Sequence, residues 1–193
     1  MRMVRVSGIT DATGLGAVTS NSYDAKGNLT ATTDPDGVTT TTSYNGLSEP
    51  VDTTVAGVTT EHRSYDTQGH LLSDGRPGQT PTRYTWASGR VSKITKPDGT
   101  STSLGYDVNG FVASVSSPAG TINRVNDPAG RIIGIVSPAG ARTGMDYDAD
   151  GNLTALIGDD NVAQTWAYDP AGHVTAATDK NNHITASTYD DAG

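Results

Sequence analysis

The sequence predicts an all-β fold, a long antiparallel meander of β-hairpins that forms an open, curled sheet. Three observations carry this expectation. The acid is almost all Asp, with Glu49 and Glu61 the exceptions, and 23 Gly and 9 Pro accompany abundant Asn and Thr in 193 residues; this is turn and strand chemistry rather than helix chemistry. A turn glycine, or an Asn in its place, recurs about every ten or eleven residues. Between these marks the chain alternates apolar and polar residues.

The turn glycines stand at positions 14, 27, 37, 46, 57, 69, 78, 89, 99, 110, 120, 130, 140, 151, 172 and 193. Asn161 and Asn182 fall midway in the two long gaps, and Asn is the residue next most tolerant of positive φ. Asp34-Pro35-Asp36-Gly37, Asp127-Pro128-Ala129-Gly130 and Asp169-Pro170-Ala171-Gly172 share one pattern. Lys96-Pro97-Asp98-Gly99, Ser117-Pro118-Ala119-Gly120 and Ser137-Pro138-Ala139-Gly140 vary its first place. Asp or Ser caps the turn, Pro presets φ, and Gly takes the left-handed position. That describes a type I turn closed by a bulge glycine, a three-residue hairpin loop. Tyr23-Asp24-Ala25-Lys26-Gly27 fits the same pattern from Asp24 onward.

The segments between turns have the usual length of strands. The residue two after the turn glycine is apolar in Leu29, Leu71, Val91, Val112, Ile132, Leu153 and Val174. On the partner strands Tyr106, Tyr147 and Tyr168 share a face with Leu104, Met145 and Trp166, two residues earlier. One face is therefore expected to be apolar and laddered from strand to strand, the other polar. About seventeen strands result, too many for a flat sheet, so the strip should curl into a spiral.

A longer period contains the shorter one. Tyr-Asp recurs at Tyr23, Tyr65, Tyr106, Tyr147, Tyr168 and Tyr189, with degenerate copies at Tyr44-Asn45, Tyr84-Thr85 and Val125-Asn126; the gaps are 21, 21, 19, 22, 19, 22, 21 and 21. Residues 1–193 thus read as a single array of about nine repeats. The chain stops at Tyr189-Asp190-Asp191-Ala192-Gly193, where a turn should lead to another strand, so the array is expected to be cut from a longer one.

The pattern Tyr-Asp-x-x-Gly-x-Leu followed by a Pro-Asp-Gly type turn, best in 23–37, 106–120 and 147–161, resembles the RHS or YD-repeat family. The resemblance implies a segment of a hollow β-shell. In bacterial members such a shell encloses a toxic C-terminal domain until delivery, and related shells occur in insecticidal toxin complexes and in teneurins. It further implies a secreted or surface-delivered protein whose partners are the remaining repeats and an enclosed toxin domain. The family's self-cleaving Asp-Pro-x-Gly-Leu elements are half present at Asp127-Pro128 and Asp169-Pro170, but Arg131 and His173 replace the Leu. No autoproteolytic site carries over.

Composition and motifs narrow the function further. A net charge of −8 and a pI near 4.7 argue against a nucleic-acid binder. No apolar run is long enough to span a membrane, and Met1 to Ser7 shows no signal-peptide core. The absence of Cys excludes thiolate catalysis and disulfides. Asp146-Tyr147-Asp148-Ala149-Asp150-Gly151-Asn152 matches the first half of a calcium loop, but Ile157 stands where the bidentate Glu belongs. His62, His70, His173 and His183 lack metal-ligand spacing; His70 and His173 share a variable slot with Asn28, Arg90, Phe111, Arg131 and Asn152. No Gly-x-Ser-x-Gly occurs. Paired carboxylates for glycoside hydrolysis lose force once Asp is explained by turns.

No catalytic, cofactor-binding or metal-binding residue is therefore assigned, and no cofactor is expected. The leading reading is a structural shell segment and not an enzyme. The alternative is a module binding carbohydrate or a cell surface, with Trp86, Trp166 and the Tyr ladder as a stacking platform. Edge-to-edge self-association is also expected, because the segment Ile184 to Tyr189 has neither Lys nor Pro.

Overall fold

A computed structural model describes residues 8–10 and 18–190 of the chain. The expected marks at Gly14 and Gly193 lie outside the described residues, as do Met1 to Ser7. The fold is all-β and antiparallel, and no helix occurs among the described residues. Two compact units divide it, Met1–Ser101 and Thr102–Gly193.

In the first unit the strands are β1 (Gly8–Thr10), β2 (Val18–Tyr23), β3 (Leu29–Thr33), β4 (Thr39–Tyr44), β5 (Pro50–Val55), β6 (Val58–Tyr65), β7 (Leu71–Gly75), β8 (Thr82–Ala87) and β9 (Arg90–Thr95). The second holds β10 (Ser101–Tyr106), β11 (Val112–Ser117), β12 (Gly120–Asn126), β13 (Ile132–Val136), β14 (Arg142–Tyr147), β15 (Leu153–Ile157), β16 (Ala163–Tyr168), β17 (Val174–Thr178) and β18 (Ile184–Ala186). Within each unit every strand pairs antiparallel with its neighbours in sequence, and the sheet stays open. The last strand is shorter than expected, ending at Ala186, although Ser187 N still donates to Thr175 O at 2.9 Å.

The turns alternate between two edges. At most of them the first residue's carbonyl accepts from the left-handed residue, and its N–H donates across the loop. Asp24 shows both bonds: Gly27 N to Asp24 O at 3.1 Å and Asp24 N to Asn28 O at 3.0 Å. Asn161 and Asn182 do fill the glycine place, at φ 56° and 63°. Four turns depart from the expected form. Ala56-Gly57 and Ser88-Gly89 have positive φ at both residues, the type I′ turn of a two-residue hairpin. Arg76-Pro77-Gly78-Gln79 places Gly78 third, at φ +79°, which makes a type II turn. Ser117 pairs directly with Gly120, so that loop has two residues instead of three.

Gly46 is a correction. It lacks positive φ; the left-handed place belongs to Ser48 at 66°, whose N–H donates to Asn45 O at 3.1 Å. Asn45 occupies the position of Asp24, so the turn residue is fixed by its distance from the Tyr and not by where a glycine happens to fall.

No described residue is buried. A single sheet layer covers its side chains only by lateral neighbours, so stability rests on ladders, hydroxyl pairs and turns rather than an enclosed core. In the second unit the expected apolar ladder exists as cross-strand rows: Leu104–Val115–Ile122, Met145–Leu156 and Trp166–Ala177. Arg124 stands opposite Ile135, and its covered Nε makes no hydrogen bond. In the first unit apolar pairs such as Tyr84–Ile94 and Trp86–Val91 alternate with polar rows. Asn21, Thr32 and Thr40 stand in register, and Arg63 pairs across from Asp74 and bonds Asp74 and Glu61 at 3.3 and 2.6 Å.

Candidate functional site

Within each unit the repeated feature lies along one edge, where the Tyr-Asp turns follow one another. Just before six of the Tyr the ladder shifts register, at Ser22/Tyr23, Thr42/Tyr44, Ser64/Tyr65, Gly105/Tyr106, Asp146/Tyr147 and Ala167/Tyr168. The bulge frees the Tyr to lean toward the preceding hairpin. Its hydroxyl then donates to a carbonyl fifteen residues back: Tyr44 to Leu29 at 2.8 Å, Tyr65 to Pro50 at 2.9 Å, Tyr147 to Ile132 at 3.0 Å, Tyr168 to Leu153 at 2.7 Å and Tyr189 to Val174 at 3.0 Å. Where β3 and β4 part, beyond the pair Ala31–Thr41, the Tyr44 hydroxyl closes the gap. Each of these five Tyr is a clasp between successive hairpins.

The clasp corrects two register marks. Trp86 Nε1 donates to Leu71 O at 2.8 Å and Asn126 Nδ2 to Val112 O at 3.1 Å, and a bulge precedes each. The repeat positions are therefore Trp86 and Asn126, not Tyr84 and Val125. Tyr84 lies mid-strand opposite Ile94, and Val125 is exposed opposite Gly134. The positions 23, 44, 65, 86, 106, 126, 147, 168 and 189 differ by 21, 21, 21, 20, 20, 21, 21 and 21, a more regular spacing than residue similarity gave. What the position requires is a side-chain donor that reaches the carbonyl, a property that Trp and Asn share with Tyr.

The Asp after Tyr23, Tyr65, Tyr106, Tyr147 and Tyr168 turns its carboxylate back into its own loop. Asp66 Oδ1 accepts from Gln68 N and His70 N at 2.8 and 2.9 Å, and Asp148 Oδ1 from Asp150 N and Asn152 N at 3.0 and 2.8 Å. Asp24, Asp107, Asp127, Asp169 and Asp179 repeat the arrangement. The backbone N–H four residues on is the largest influence holding Asp24, Asp66, Asp169 and Asp179 below the ordinary carboxylate value. For Asp148 it is the Asn152 side chain, and for Asp127 the Arg131 side chain. A glycosidase acid needs a raised carboxyl pKa; every shifted aspartate among the described residues moves the other way.

The sequence-level candidates find these places. In the calcium-like segment, Asp148 is committed to its turn while Asp146 pairs within β14 opposite Ala155. Among the described residues no group of three His, Asp or Glu is arranged to hold a metal ion. His62 Nδ1 meets Asp52 Oδ1 at 2.6 Å, and Ser43 Oγ donates to Asp52 Oδ2 at 3.2 Å. There the carboxylate is central; nucleophilic catalysis needs the imidazole between Ser and Asp.

The variable slot also has structure that its sequence variability hid. His70 and His173 bond the Asp four residues back and stack on Trp86 and Tyr189 of the next hairpin, while Arg131 lies over Tyr147. Arg90 does not share the slot, since it follows a two-residue loop and pairs with Ala87. Trp86, offered as a sugar platform, spends its ring on His70 and its Nε1 on Leu71. Trp166 stands mid-strand opposite Ala177. No described helix is long and apolar enough to cross a membrane.

Comparison with known proteins adds the following. A family model described as teneurin YD-shell matches residues 8–141, and an RHS repeat model matches residues 127–163. No curated protein matches the chain. Among solved structures, TcdB2-TccC3 without its hypervariable C-terminal region aligns with a TM-score of 0.59 at 14% identity, over 84% of this chain and 12% of that one. TcdB2-TccC3-Cdc42 gives 0.59 at 15% identity, over 91% and 12%. A TccC3 mutant of the Photorhabdus luminescens Tc holotoxin pore gives 0.57 at 14% identity, again over 91% and 12%. The chain therefore spans about an eighth of their length, and the likeness is one of fold.

Proposed function

The chain belongs to the teneurin YD-shell family and is a structural segment of such a shell, and from that premise we propose that the shell encloses a toxic C-terminal cargo for delivery. The observation that carries this reading is a sheet in which no described residue is buried, although its second unit holds rows of large apolar side chains. Such a layer makes sense as a wall. Its clasps and turns are spent on holding hairpin to hairpin, which supports a structural role.

In this reading residues 1–193 are one array of repeats within a longer protein that is secreted or delivered to a cell surface. Its partners are the neighbouring repeats and the enclosed domain. The alternative, a carbohydrate- or cell-surface-binding module, has less support because Trp86 is engaged within the sheet.

Limited proteolysis of the full-length protein tests the proposal. The repeat region should resist cleavage, and a downstream domain should be cut only after denaturation opens the wall. Cleavage of that domain in the native protein as fast as in isolation would refute enclosure. Sedimentation of the 193-residue chain tests its edges: β18 pairs among the described residues only with β17 and exposes Ile184, so association should rise with concentration.

A further inference from the structure

The apolar rows of the second unit, from Leu104 to Ala177, take in one charged side chain. Arg124 follows Ile122 by two residues on β12 and so shares its face. It stands opposite Ile135, which in turn stands opposite Thr143, two residues before Met145. The partners that continue the rows, Thr143, Gln164 and Thr185, are polar but uncharged.

Arg124 is half-buried, and its Nε is the one covered side-chain nitrogen or oxygen among the described residues without a hydrogen-bond partner. The carboxylate nearest in sequence cannot serve it. Asp127 is committed to its own turn, where it accepts from the Ala129 and Arg131 backbone N–H groups and from Arg131 Nε at 2.6 Å. Other arginines of the sheet do have acids beside them, as Arg63 has Glu61 and Asp74. A covered donor without an acceptor is costly, and an apolar residue in the same row would avoid that cost. The cost is removed once an acceptor is brought to the face from outside.

We propose that this face docks an apolar segment of a partner polypeptide carrying one carboxylate, which pairs with Arg124 through Nε and one Nη. The guanidinium fork matches a carboxylate with two parallel hydrogen bonds. Apolar side chains on either side of Arg124 give the rest of the segment its contact and keep water from the pair. The chain's net charge of −8 disfavours a densely acidic partner, so a lone carboxylate among apolar side chains fits both the rows and the arginine. In the enclosure reading that polypeptide is the cargo; the inference rests on that reading for the partner's identity and on the rows and Arg124 for its chemistry.

The test uses the 193-residue chain with nitrogen-labelled arginine followed by NMR, the Arg124 Nε–H signal being the one lost in Arg124→Met. The probes are the acetylated, amidated peptide Ser-Leu-Val-Glu-Val-Leu-Ser and its counterpart with Gln in place of Glu. The Glu peptide should shift the Arg124 signal saturably and bind at least about fivefold more tightly than the Gln peptide. Arg124→Met keeps an apolar stem in the row, so there the two peptides should bind within about twofold of each other. Equal binding to the unaltered chain, no saturable binding of either peptide, or a Glu preference that survives in folded Arg124→Met would each overturn the proposal. So would an equal Arg124 shift from inorganic phosphate, which would make the site a bare anion contact. The peptide comparison on the unaltered chain decides the matter even where Arg124→Met fails to fold. Protease resistance of the full-length protein without a Glu preference would keep the enclosing wall and discard the docking site.

Discussion

Gly37 and Gly46 are indistinguishable as turn glycines in the sequence, and a matched pair of alanine substitutions separates them. Gly37 has φ +82°, donates its N–H to Asp34 O at 3.0 Å, and a Cβ placed there meets nothing within 4 Å. Gly46 also has open space around a Cβ, but it lacks positive φ. Packing therefore contributes to neither substitution. The entropy lost from the unfolded chain on replacing Gly by Ala is common to both and cancels in the comparison. What remains is the left-handed penalty at Gly37, about 1–2 kcal/mol for an L-residue. Gly46→Ala should stabilise by about 0.4–1 kcal/mol, and Gly37→Ala should lie about 1–2 kcal/mol below it. For a chain of this size the melting temperatures should differ by about 2–8 °C. Circular dichroism melts measure the difference, and hydrogen exchange at the residue-37 amide localises it. Coincident melts, or a greater loss from Gly46→Ala, would refute the assignment of the turn to Asn45 and Ser48.

Other perturbations probe the remaining features. Tyr147→Phe removes one clasp and should cost about 0.5–1.5 kcal/mol by thermal melt, toward the lower end because water can reach the Ile132 carbonyl; Trp86→Phe should behave alike, whereas Tyr84→Phe should be silent. Asn161→Gly should be neutral or slightly stabilising in the same assay, since Gly carries no Cβ penalty at φ 56°. Because the turn aspartates are depressed when folded, their stabilisation is full above their unfolded value and is lost as pH falls through the folded ones. The melting temperature should hold between neutral pH and about pH 5, then drop below about pH 4; a decline beginning near neutrality would assign pH sensitivity to other groups. Millimolar calcium and chelator should give melts that agree within a few degrees, and a large calcium-dependent rise would restore the segment from Asp146 to Asn152 as a metal site.

The order of strands and turns was legible because hairpins are local. Gly, Pro and Asp act within four residues, so Asp169-Pro170-Ala171-Gly172 announces its loop without knowledge of the rest. Register marks were legible only where residue identity coincided with role. Trp86 and Asn126 serve as clasps through a donor atom whose acceptor lies fourteen or fifteen residues away, and a search for Tyr passes over them. Gly46 misled for the opposite reason, since a residue of the right type stood two places from the strained position. The slot of His70, Arg131 and His173 looked arbitrary because these three side chains lay a flat basic group above a ring, while Asn28 and Asn152 in the same place turn to the Asp. The mixed apolar and polar rows of the first unit depend on cross-strand register, which bulges shift one hairpin at a time.

The clasp has a mechanical consequence. Within each unit, among the described residues, every strand touches only its predecessor and successor, and each clasp reaches back a single hairpin. Contact order is low, so the chain acquires its structure by zipping rather than by global collapse. Tension applied to one end meets the resistance of one hairpin and one clasp at a time, in series. Yielding should then proceed in near-equal steps, each releasing one 21-residue repeat, or about 70 Å of extended chain. Such a wall is dismantled by peeling at a force set by a single repeat, and lengthening the array adds extent without adding strength.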